Sequence, residues 1–413
     1  MTRSLDRAGP AALLARGGVR AALTALDAPG AETRLVGGCV RDALLGHPAA
    51  DVDLATTLLP DAVLERARRA GLKAVPTGIA HGTITLVTGE GPVEVTTLRE
   101  DVETDGRHAI VRFGGDFRRD AERRDFTVNA LSLGADGTLH DPVGGIPDLE
   151  AGRVRFIGDP ATRIREDALR ILRFFRFHAR FGAGAPDAPA LAACIAARDA
   201  LDRLSRERVR AEFLKLLTAP GAPLMIATLG DTGLLQRITG GVAERGRFGR
   251  SHAAGQAPAL RLAALSVAGH HDAERLRERL RLSRAEETVL TGYAAVLAAL
   301  HGLPVLEADA ARALAAIHGP ALLADVLAIL AGEPRPAVTP EARAAVATLS
   351  GAGAAPVFPV TGADLVARGI RPGPAIGRGL AAARRAWLDQ GCPTGAEAEA
   401  ALLARALAAA REA

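Results

Sequence analysis

The sequence predicts an α/β domain at the N-terminal end of the chain, followed by a long region that is almost entirely helical. Strand-like apolar and alternating runs are confined to the stretch before residue 155 of the 413 residues. From Thr162 onward, apolar residues recur with helical spacing between short breaks. Hydrophobic residues make up 48% of the chain but aromatic residues only 3%. The chain therefore has material for several cores, built mainly from Ala, Leu and Val.

The α/β domain is expected over residues 33–155, behind an amphipathic helix predicted within 1–28. Pro60-Asp61 is a typical helix start, and Gly71 is a typical helix end. A Gly-Glu-Gly turn at 89–91 joins two alternating runs into a β-hairpin. The predicted elements are strands 33–37 and 51–55, a helix over 60–71, and hairpin strands 83–87 and 93–98.

The region after Thr162 is expected to form successive helices. The Pro- and Gly-rich stretch 351–360 is the clearest linker, and two Ala-rich helices are predicted beyond it. The helices predicted before the linker cover 163–181, 204–218, 222–238, 257–270, 272–281, 284–301, 308–318, 320–331 and 340–349.

The net charge excludes no class of partner, whereas the cysteine positions argue against a disulfide framework and a cysteine metal site. The formal net charge of +4 permits a polyanionic partner without demanding one. Cys39, Cys194 and Cys392 are scattered, so they predict neither a disulfide framework nor a metal knuckle. No apolar run is long enough to span a bilayer, and the N-terminal segment lacks the apolar core of a signal peptide. These features favour a cytoplasmic protein that does not associate with membranes.

A glycine pair, Gly37-Gly38, follows the first predicted strand and precedes a helix. Such a turn lets backbone N–H groups approach a phosphate closely, and Arg41 can add a charged, forked donor to the same phosphate. Many Gly-Gly turns bind nothing, so a purely structural turn remains an alternative at this point.

Asp51 and Asp53 lie two residues apart at the second predicted strand. Residues i and i+2 of a strand point to the same side, and two converging carboxylates repel each other unless a cation lies between them. Hard oxygen ligands suit Mg²⁺. Glu94, on the hairpin strand, is a candidate third carboxylate; a surface glutamate is an equally good interpretation. The alternative for the aspartate pair is a solvated strand end.

Four segments, taken in order, resemble one known family. Residues 37–57, GGCVRDALLGHPAADVDLATT, resemble the signature of class II tRNA nucleotidyltransferases and bacterial poly(A) polymerases, within the DNA polymerase β-like superfamily. The other three are 123–131 (RRDFTVNAL), 141–145 (DPVGG) and 165–173 (REDALRILR). In the helical region, 204–217 and 361–377 resemble the neck and tail segments of bacterial members.

This resemblance implies an α/β nucleotidyltransferase head with a mixed sheet and helices over 1–155, followed by an all-α neck over 156–240, a body over 241–350 and a tail over 351–413. The neck is expected to bind the nucleotide base and RNA, and the tail to bind tRNA. Mg²⁺ is the implied cofactor, and tRNA, CTP and ATP are the implied partners.

The resemblance also implies roles for single residues. Asp51 and Asp53 are expected to hold Mg²⁺, and Asp125 and Asn129 to brace the ribose or the local fold. Paired arginines beside an acidic metal site also indicate an anion bound between them. The expected nucleotide contacts are Gly38 and Arg41 at the triphosphate, and one or both of Arg123 and Arg124.

Asp167, Arg170, Arg173 and Arg176 recur every three residues and predict a slanting stripe along one buried helix. Buried arginines need an anionic partner. Asp167 and Arg170 are expected to select the incoming base, because a carboxylate and a guanidinium match the amine and ring nitrogen of cytosine and adenine. Arg173 and Arg176 would reach other parts of the nucleotide. The structural alternative is a plain i, i+3 salt bridge.

The preferred function is addition of C, C and A to the 3′ end of tRNA from CTP and ATP, without a nucleic-acid template. Residues 99–119 resemble the flexible loop of complete CCA-adding enzymes. Poly(A) polymerase, CC-adding and A-adding enzymes of the same family are the enzymatic alternatives. The alternative of another class is an inactive RNA-binding protein on this scaffold.

Overall fold

The computed structural model describes residues 3–49, 51–105, 108–114 and 116–412. The chain folds into two compact units, Met1–Arg237 and Ile238–Ala413. The first contains a β-sheet domain and the helices that follow it, and the second is built mainly from helices.

A seven-stranded mixed sheet organises the first unit, with strand order β3-β4-β5-β2-β1-β8-β9. Strand β2 runs parallel to β5, whereas the other neighbouring strands in this sheet are antiparallel. The strands are β1 Thr33–Val36, β2 Val52–Thr56, β3 Lys73–Gly78, β4 Thr83–Thr88, β5 Gly91–Thr97, β6 Arg99–Asp105, β7 His108–Phe113, β8 Ser132–Gly134 and β9 Leu139–His140.

The helices of the sheet domain include the one expected at residues 60–71, which is observed as α4. The segment predicted as one amphipathic helix within 1–28 instead forms two helices that meet at Arg16. At the break, Glu90 in the distant β4–β5 turn accepts the N–H of Gly17 at 2.9 Å, which satisfies one backbone donor at the start of the second helix. The helices are α1 Gly9–Ala15, α2 Gly17–Leu26, α3 Gly38–Leu44, α4 Pro60–Arg69, α5 Phe117–Glu122 and α6 Gly145–Glu150.

Alternation along the strands separates a buried face of the sheet from a polar face. Leu54, Leu86 and Val93 are buried on the side against which α2 and α4 pack. Asp53 and Glu94 lie at the intervening positions and are partly buried and exposed, respectively. The predicted hairpin is confirmed as β4 and β5, paired from Thr83–Thr96 to Thr88–Gly91.

The segment 99–119, expected to be a loop, contains a second hairpin. Strands β6 and β7 pair antiparallel, from Arg99 opposite Phe113 to Asp105 opposite His108. Residues 106 and 107, between the two strands, lie outside the described residues. The strand signal was obscured because β6 reads REDVETD, a run dominated by charged residues.

The helix predicted over 163–181 is two helices, α7 Pro160–Glu166 and α8 Arg170–Phe181. At Asp167 the backbone is extended, with φ −153° and ψ 108°. Its carboxylate accepts the N–H of Leu169 at 3.0 Å, a local bond that aspartate makes in place of continuing a helix. The expectation that Asp167 shares one helix with the three arginines is therefore wrong.

Six of the chain's 11 phenylalanines form one cluster where α8 packs against the sheet domain. The rings of Phe126 and Phe156 lie 4.8 Å apart, and those of Phe126 and Phe177 lie 5.3 Å apart. The scarce aromatic side chains are thus concentrated at this junction, where their large buried area contributes most. The remaining helices of this region are α9 Ala188–Ala196, α10 Arg206–Thr218, α11 Ala222–Asp231 and α12 Leu234–Thr239.

The second unit is helical apart from one short parallel pair of strands. Near the C-terminus, Trp387 is 1% exposed, packs with Leu365 and Leu402, and donates its indole N–H to the Pro393 carbonyl at 3.1 Å. The elements are α13 Arg245–Ala253, α14 Pro258–Ser266, α15 His270–Leu280, α16 Arg284–His301, β10 Val305–Leu306, α17 Ala308–His318, α18 Pro320–Ile329, β11 Ala337–Val338, α19 Pro340–Ala352, α20 Gly362–Val366, α21 Pro374–Asp389 and α22 Ala396–Arg411.

Within the described ranges, no single helix has both the length and the apolar character needed to cross a membrane. Among the described helices, one pair, α17 and α18, meets those criteria when taken together, and the two are bent by 118° relative to each other.

Glu212 is expected to be important for stability, because it pairs with a buried arginine. Arg176 Nε donates to Glu212 Oε2 at 2.6 Å, and both side chains are largely buried. Replacing Glu212 with Ala leaves an uncompensated buried cation, so the free energy of unfolding should fall by about 3–5 kcal/mol. Urea denaturation measures this change. Lys215→Ala, at an exposed position of the same helix, should change it by less than about 0.5 kcal/mol; equal effects of the two variants would contradict the assignment.

Candidate active site

Three carboxylates lie together on the polar face of the sheet. The parallel register of β2 and β5 sets Asp53 directly beside Glu94. Asp51 is exposed and immediately precedes β2, which begins one residue later than predicted. Burial, together with the negative charges of Glu94 and Asp51, raises the pKa of Asp53, while Arg124 opposes the shift. The structure thus brings the candidate third carboxylate, Glu94, next to the predicted pair.

The donor set fits a hard divalent cation that is shared with a substrate. In the part of the chain that the structure describes, no three His, Cys, Asp or Glu side chains form a preassembled metal cage. Mg²⁺ does not require one, because it commonly takes one or two carboxylates and completes its shell with phosphate oxygens and water. Burial is the largest cause of the raised pKa of Asp53, and the negative charges of Glu94 and Asp51 add to it; a bound cation would offset both effects.

The side chain of Arg124 passes directly over the glycine turn at Gly37. Gly37 has φ +74°, a conformation that favours glycine, and its N–H donates to the Leu131 carbonyl at 2.9 Å. A Cβ atom at this position would lie 2.7 Å from Nη1 of Arg124. Gly38 begins α3 directly afterwards. The absence of a side chain at residue 37 therefore lets Arg124 cross the turn toward Asp53.

Arg123 and Arg124 share one buried carboxylate, that of Asp120. Arg123 Nε donates to Oδ1 at 2.9 Å, and Arg124 Nη2 donates to Oδ2 at 3.0 Å. Burial alone would raise the pKa of Asp120, but the two guanidinium groups outweigh it and hold the pKa below its ordinary value. Asp120 supplies the anion expected between the arginines and was missed by sequence reasoning, although it lies only three residues before Arg123.

Arg41 is buried and engaged inside the protein. Its Nε and Nη2 donate to Asp42 Oδ1 at 2.8 and 2.7 Å, and its Nη1 donates to Asn129 Oδ1. The guanidinium also lies 4.1 Å from the centre of the Phe181 ring. Desolvation lowers the pKa of Arg41, against the attraction of Asp42. A contact between Arg41 and a triphosphate stays a prediction.

The arginines of α8 have carboxylate partners within the chain. Arg173 Nε donates to Asp125 Oδ2 at 2.6 Å, and Arg176 pairs with Glu212. Arg170 pairs with Glu166 and donates to the Arg163 carbonyl at 2.8 Å. The anionic partner that burial requires is therefore supplied internally at each of these three positions, so burial alone does not indicate a bound nucleotide.

Asp167 is paired with Arg208 rather than with Arg170, the two atoms Oδ2 and Nη2 lying 2.6 Å apart. Both residues line a cleft of about 1080 Å³ that also includes Arg165, Asp199 and Ser205. The simple i, i+3 salt bridge between Asp167 and Arg170 is thus not formed. Arg208 was not among the predicted site residues, although it belongs to the 204–217 segment that resembles the neck.

Neutralising Asp53 should stabilise the metal-free protein. Because its folded-state pKa is raised, the ionised form is disfavoured by folding, and stability falls as pH rises through that pKa. In EDTA at neutral pH, Asp53→Asn should raise the melting temperature, by about 2–4 °C for each kcal/mol relieved. Below the ordinary aspartate pKa of 3.8 the two proteins should melt alike.

Added Mg²⁺ should raise the melting temperature of the wild type more than that of Asp53→Asn. Asp61→Asn, at an exposed position of α4, is the control and should not stabilise the metal-free protein. An equal response of wild type and Asp53→Asn to Mg²⁺ would locate the cation elsewhere.

Comparison with known proteins connects this geometry to a family. Residues 33–155 match the family described as "Poly A polymerase head domain", and residues 187–243 match "Probable RNA and SrmB- binding site of polymerase A". The first match covers the sheet domain with the three carboxylates and the two arginines that share Asp120.

Three individual proteins illustrate the likeness. The mitochondrial CCA tRNA nucleotidyltransferase 1 of Danio rerio is 41% identical over 62% of this chain, and the match spans 62% of that protein, which is less than two thirds of its length. The CCA-adding enzyme of Limosilactobacillus fermentum is 32% identical over 87% of this chain and 90% of its own. The crystal structure of the Bacillus stearothermophilus CCA-adding enzyme in complex with CTP superposes with a TM-score of 0.74, at 28% identity, over 94% of this chain and 96% of that one.

The likeness to the Limosilactobacillus protein extends over most of both chains. Three of the four segments singled out in the sequence, 37–57, 123–131 and 141–145, fall within the matched head domain, residues 33–155. The chain belongs to the class II family of tRNA nucleotidyltransferases and bacterial poly(A) polymerases.

Proposed function

We propose that this protein is a CCA tRNA nucleotidyltransferase, which adds C, C and A to the 3′ end of tRNA from CTP and ATP and releases pyrophosphate. The observation that carries the proposal is the group of three carboxylates, Asp51, Asp53 and Glu94, on the polar face of the sheet beside Arg124. The Danio and Limosilactobacillus relatives are named for CCA addition, and the similar structure of the Bacillus stearothermophilus CCA-adding enzyme is a complex with CTP.

In the proposed reaction the 3′-hydroxyl oxygen of the RNA forms a bond to the α-phosphorus of the nucleotide, and the bond to pyrophosphate breaks. Asp51 and Asp53 would hold Mg²⁺, with Glu94 beside them. The bound cation supplies charge neutralisation at the phosphates and lowers the pKa of the attacking hydroxyl. No residue of the chain becomes covalently attached to the nucleotide.

The arginines orient the triphosphate in this proposal. Arg123 and Arg124 are each about one quarter exposed and fixed from behind by Asp120, which limits the freedom they lose on binding. The backbone N–H groups of the glycine turn at Gly37 and Gly38 would contribute to the same phosphate, beside Arg124, which crosses the turn at Gly37. In this proposal the neck, residues 156–240, binds the nucleotide base and RNA, and the tail, residues 351–413, binds tRNA.

Base selection by Asp167 and Arg170 requires both residues to change partners. Asp167 is bonded to Arg208, and Arg170 is bonded to Glu166. Cytosine and adenine each offer an amine donor and a ring-nitrogen acceptor, which would replace these protein partners. Uracil and guanine present the reverse pattern and would leave buried groups unpaired, at about 1–3 kcal/mol for each group.

The first test is incubation of the purified protein with tRNA that lacks its last three nucleotides, together with CTP, ATP and Mg²⁺. Two C residues and one A are expected. Asp51→Ala and Asp53→Ala should abolish incorporation of both nucleotides, because a single metal site serves them, while tRNA binding should change little. Asp61→Ala is the control and should retain activity, since it is exposed on α4.

The other outcomes of this assay identify the alternatives. A long ladder of A residues means poly(A) synthesis, and addition of C alone or A alone means a partial enzyme. Absence of extension by the wild type, with tRNA still bound, means an RNA-binding protein. Substantial turnover by Asp53→Ala at saturating Mg²⁺ would remove Asp53 from the metal site.

Asp167→Ala should let UTP and GTP compete with CTP and ATP. Loss of one discriminating hydrogen bond to a charged group is expected to reduce the selectivity ratio by about tenfold or more. Nucleotide competition on the folded variant measures that ratio. The matched control is Asp199→Ala, which removes an aspartate of the same cleft that pairs with Arg237. Unchanged selectivity in Asp167→Ala would mean that the base is read elsewhere.

A further inference from the structure

Asn129 lies at the centre of a buried hydrogen-bond chain between the glycine turn and α8. Its amide nitrogen donates to Asp125 Oδ1 at 3.0 Å, and its amide oxygen accepts from Arg41 Nη1. Its backbone carbonyl accepts from Arg124 Nη1 at 3.3 Å, and Arg124 is the arginine that crosses Gly37. One residue thus contacts both the arginine beside the carboxylates and the network that leads to the neck.

This chain of hydrogen bonds reaches α8 at two points. On one side Asp125 accepts from Arg173 Nε at 2.6 Å. On the other, Asp42 accepts from Arg41 and also from Arg180 Nη2, the latter at 3.3 Å. Arg173 and Arg180 are seven residues apart, about two helical turns, so they lie on the same side of α8. The helix is therefore attached to the head at two positions along its length.

The amide of Asn129 allows the hydrogen bonds to run from donor to acceptor without interruption between Arg41 and Asp125. Arg41 can only donate and the Asp125 carboxylate only accepts, so the residue between them must accept on one side and donate on the other. Arg41, Asp125 and Asn129 are all at most 7% exposed. Burial alone would raise the pKa of Asp125, but Arg173 and the Asn129 amide hold it below its ordinary value. Bonds of this kind are costly to leave unmade, because water cannot replace the missing partner.

We propose that Asn129 is a positioning residue, which fixes α8, and with it Arg170 at the start of that helix, relative to Arg124 and the glycine turn. The inference rests on the nucleotidyl transfer proposed above. The base and the triphosphate of one nucleotide must be held at a set separation, and the Asn129 chain joins the two elements that would hold them. The competing explanation is direct contact of Asp125 with the nucleotide.

An exchange of two side chains separates these explanations. Asn129→Ala removes both side-chain bonds without burying a charge. The double variant Asn129→Asp with Asp125→Asn keeps the net charge and restores the side-chain connection from Arg41 to Arg173, since the carboxylate at 129 accepts from Arg41 and from the amide at 125, whose oxygen accepts from Arg173. The one bond it does not restore is that of the Phe126 N–H, which donates to Asp125 Oδ1 in the wild type. Asp125→Asn alone is the matched control, because it removes the same carboxylate without the compensating change. Each protein is assayed with tRNA that lacks its last three nucleotides, with circular dichroism and thermal melting as checks on folding.

Asn129→Ala should raise the KM for CTP by about tenfold with a smaller change in kcat, and should lower the CTP-over-UTP selectivity ratio. The double variant should recover both to within about threefold of wild type, whereas Asp125→Asn should not, because coupled residues are non-additive. The KM for CTP and the CTP-over-UTP ratio both report on how the nucleotide is placed. If Asn129 only stabilised the fold, neither would change in a variant that still folds.

Three results would overturn the proposal. The first is a folded Asn129→Ala variant with wild-type KM and selectivity. The second is a folded double variant as impaired as Asp125→Asn, which would assign Asp125 to direct contact with the nucleotide. The third is failure of the double variant to fold. Absence of CCA addition by the wild type is a separate outcome, and it would count against the proposed function itself.

Discussion

The parallel pairing of β2 with β5 holds two carboxylates side by side, and Arg124 and the glycine turn are arranged around them. Asp53 and Glu94 occupy matched positions in this register, so neither can move away without a shift of the whole strand pair. Arg124 lowers the cost, and the glycine at residue 37 gives it room to do so. The fold thus maintains a local excess of negative charge, stabilised elsewhere by the core beneath α2 and α4.

The partly buried arginines near α8 are neutralised by carboxylates of the same protein. The arginines at the junction of the head and α8 are partly or wholly withdrawn from water, and each has a carboxylate partner: Arg173 has Asp125, Arg176 has Glu212, and Arg170 has Glu166. The buried pair of Arg176 and Glu212 joins α8 to α10. Pairs at the cleft, such as Asp167 with Arg208, are about one third exposed and can exchange partners at lower cost. The two pairs proposed to exchange partners for a base, Asp167 with Arg208 and Arg170 with Glu166, are both less buried than Arg176 with Glu212.

The sequence was most informative where the signal is local. The hairpin of β4 and β5, helix α4 and the aspartate pair were all predicted, because alternation, capping residues and i, i+2 spacing are properties of short segments. The break at Asp167 was missed because apolar spacing continues through Ala168 and Leu169. The partners of Asp125 and Asp167 lie 48 and 41 residues away, and no local pattern indicates which arginine will fold against which carboxylate. The hairpin of β6 and β7 was missed because its first strand is mostly charged.

The distribution of the large aromatic residues makes one part of the chain spectroscopically distinct. Trp387 is the only tryptophan, and it is enclosed in the small core formed near the C-terminus. Its environment depends on Leu365, Leu402 and the bond to the Pro393 carbonyl, all within that core. Intrinsic tryptophan emission is consequently a reporter of this segment alone. A dye-free fluorescence trace can follow its loosening or rigidification while circular dichroism follows the helices of the whole chain.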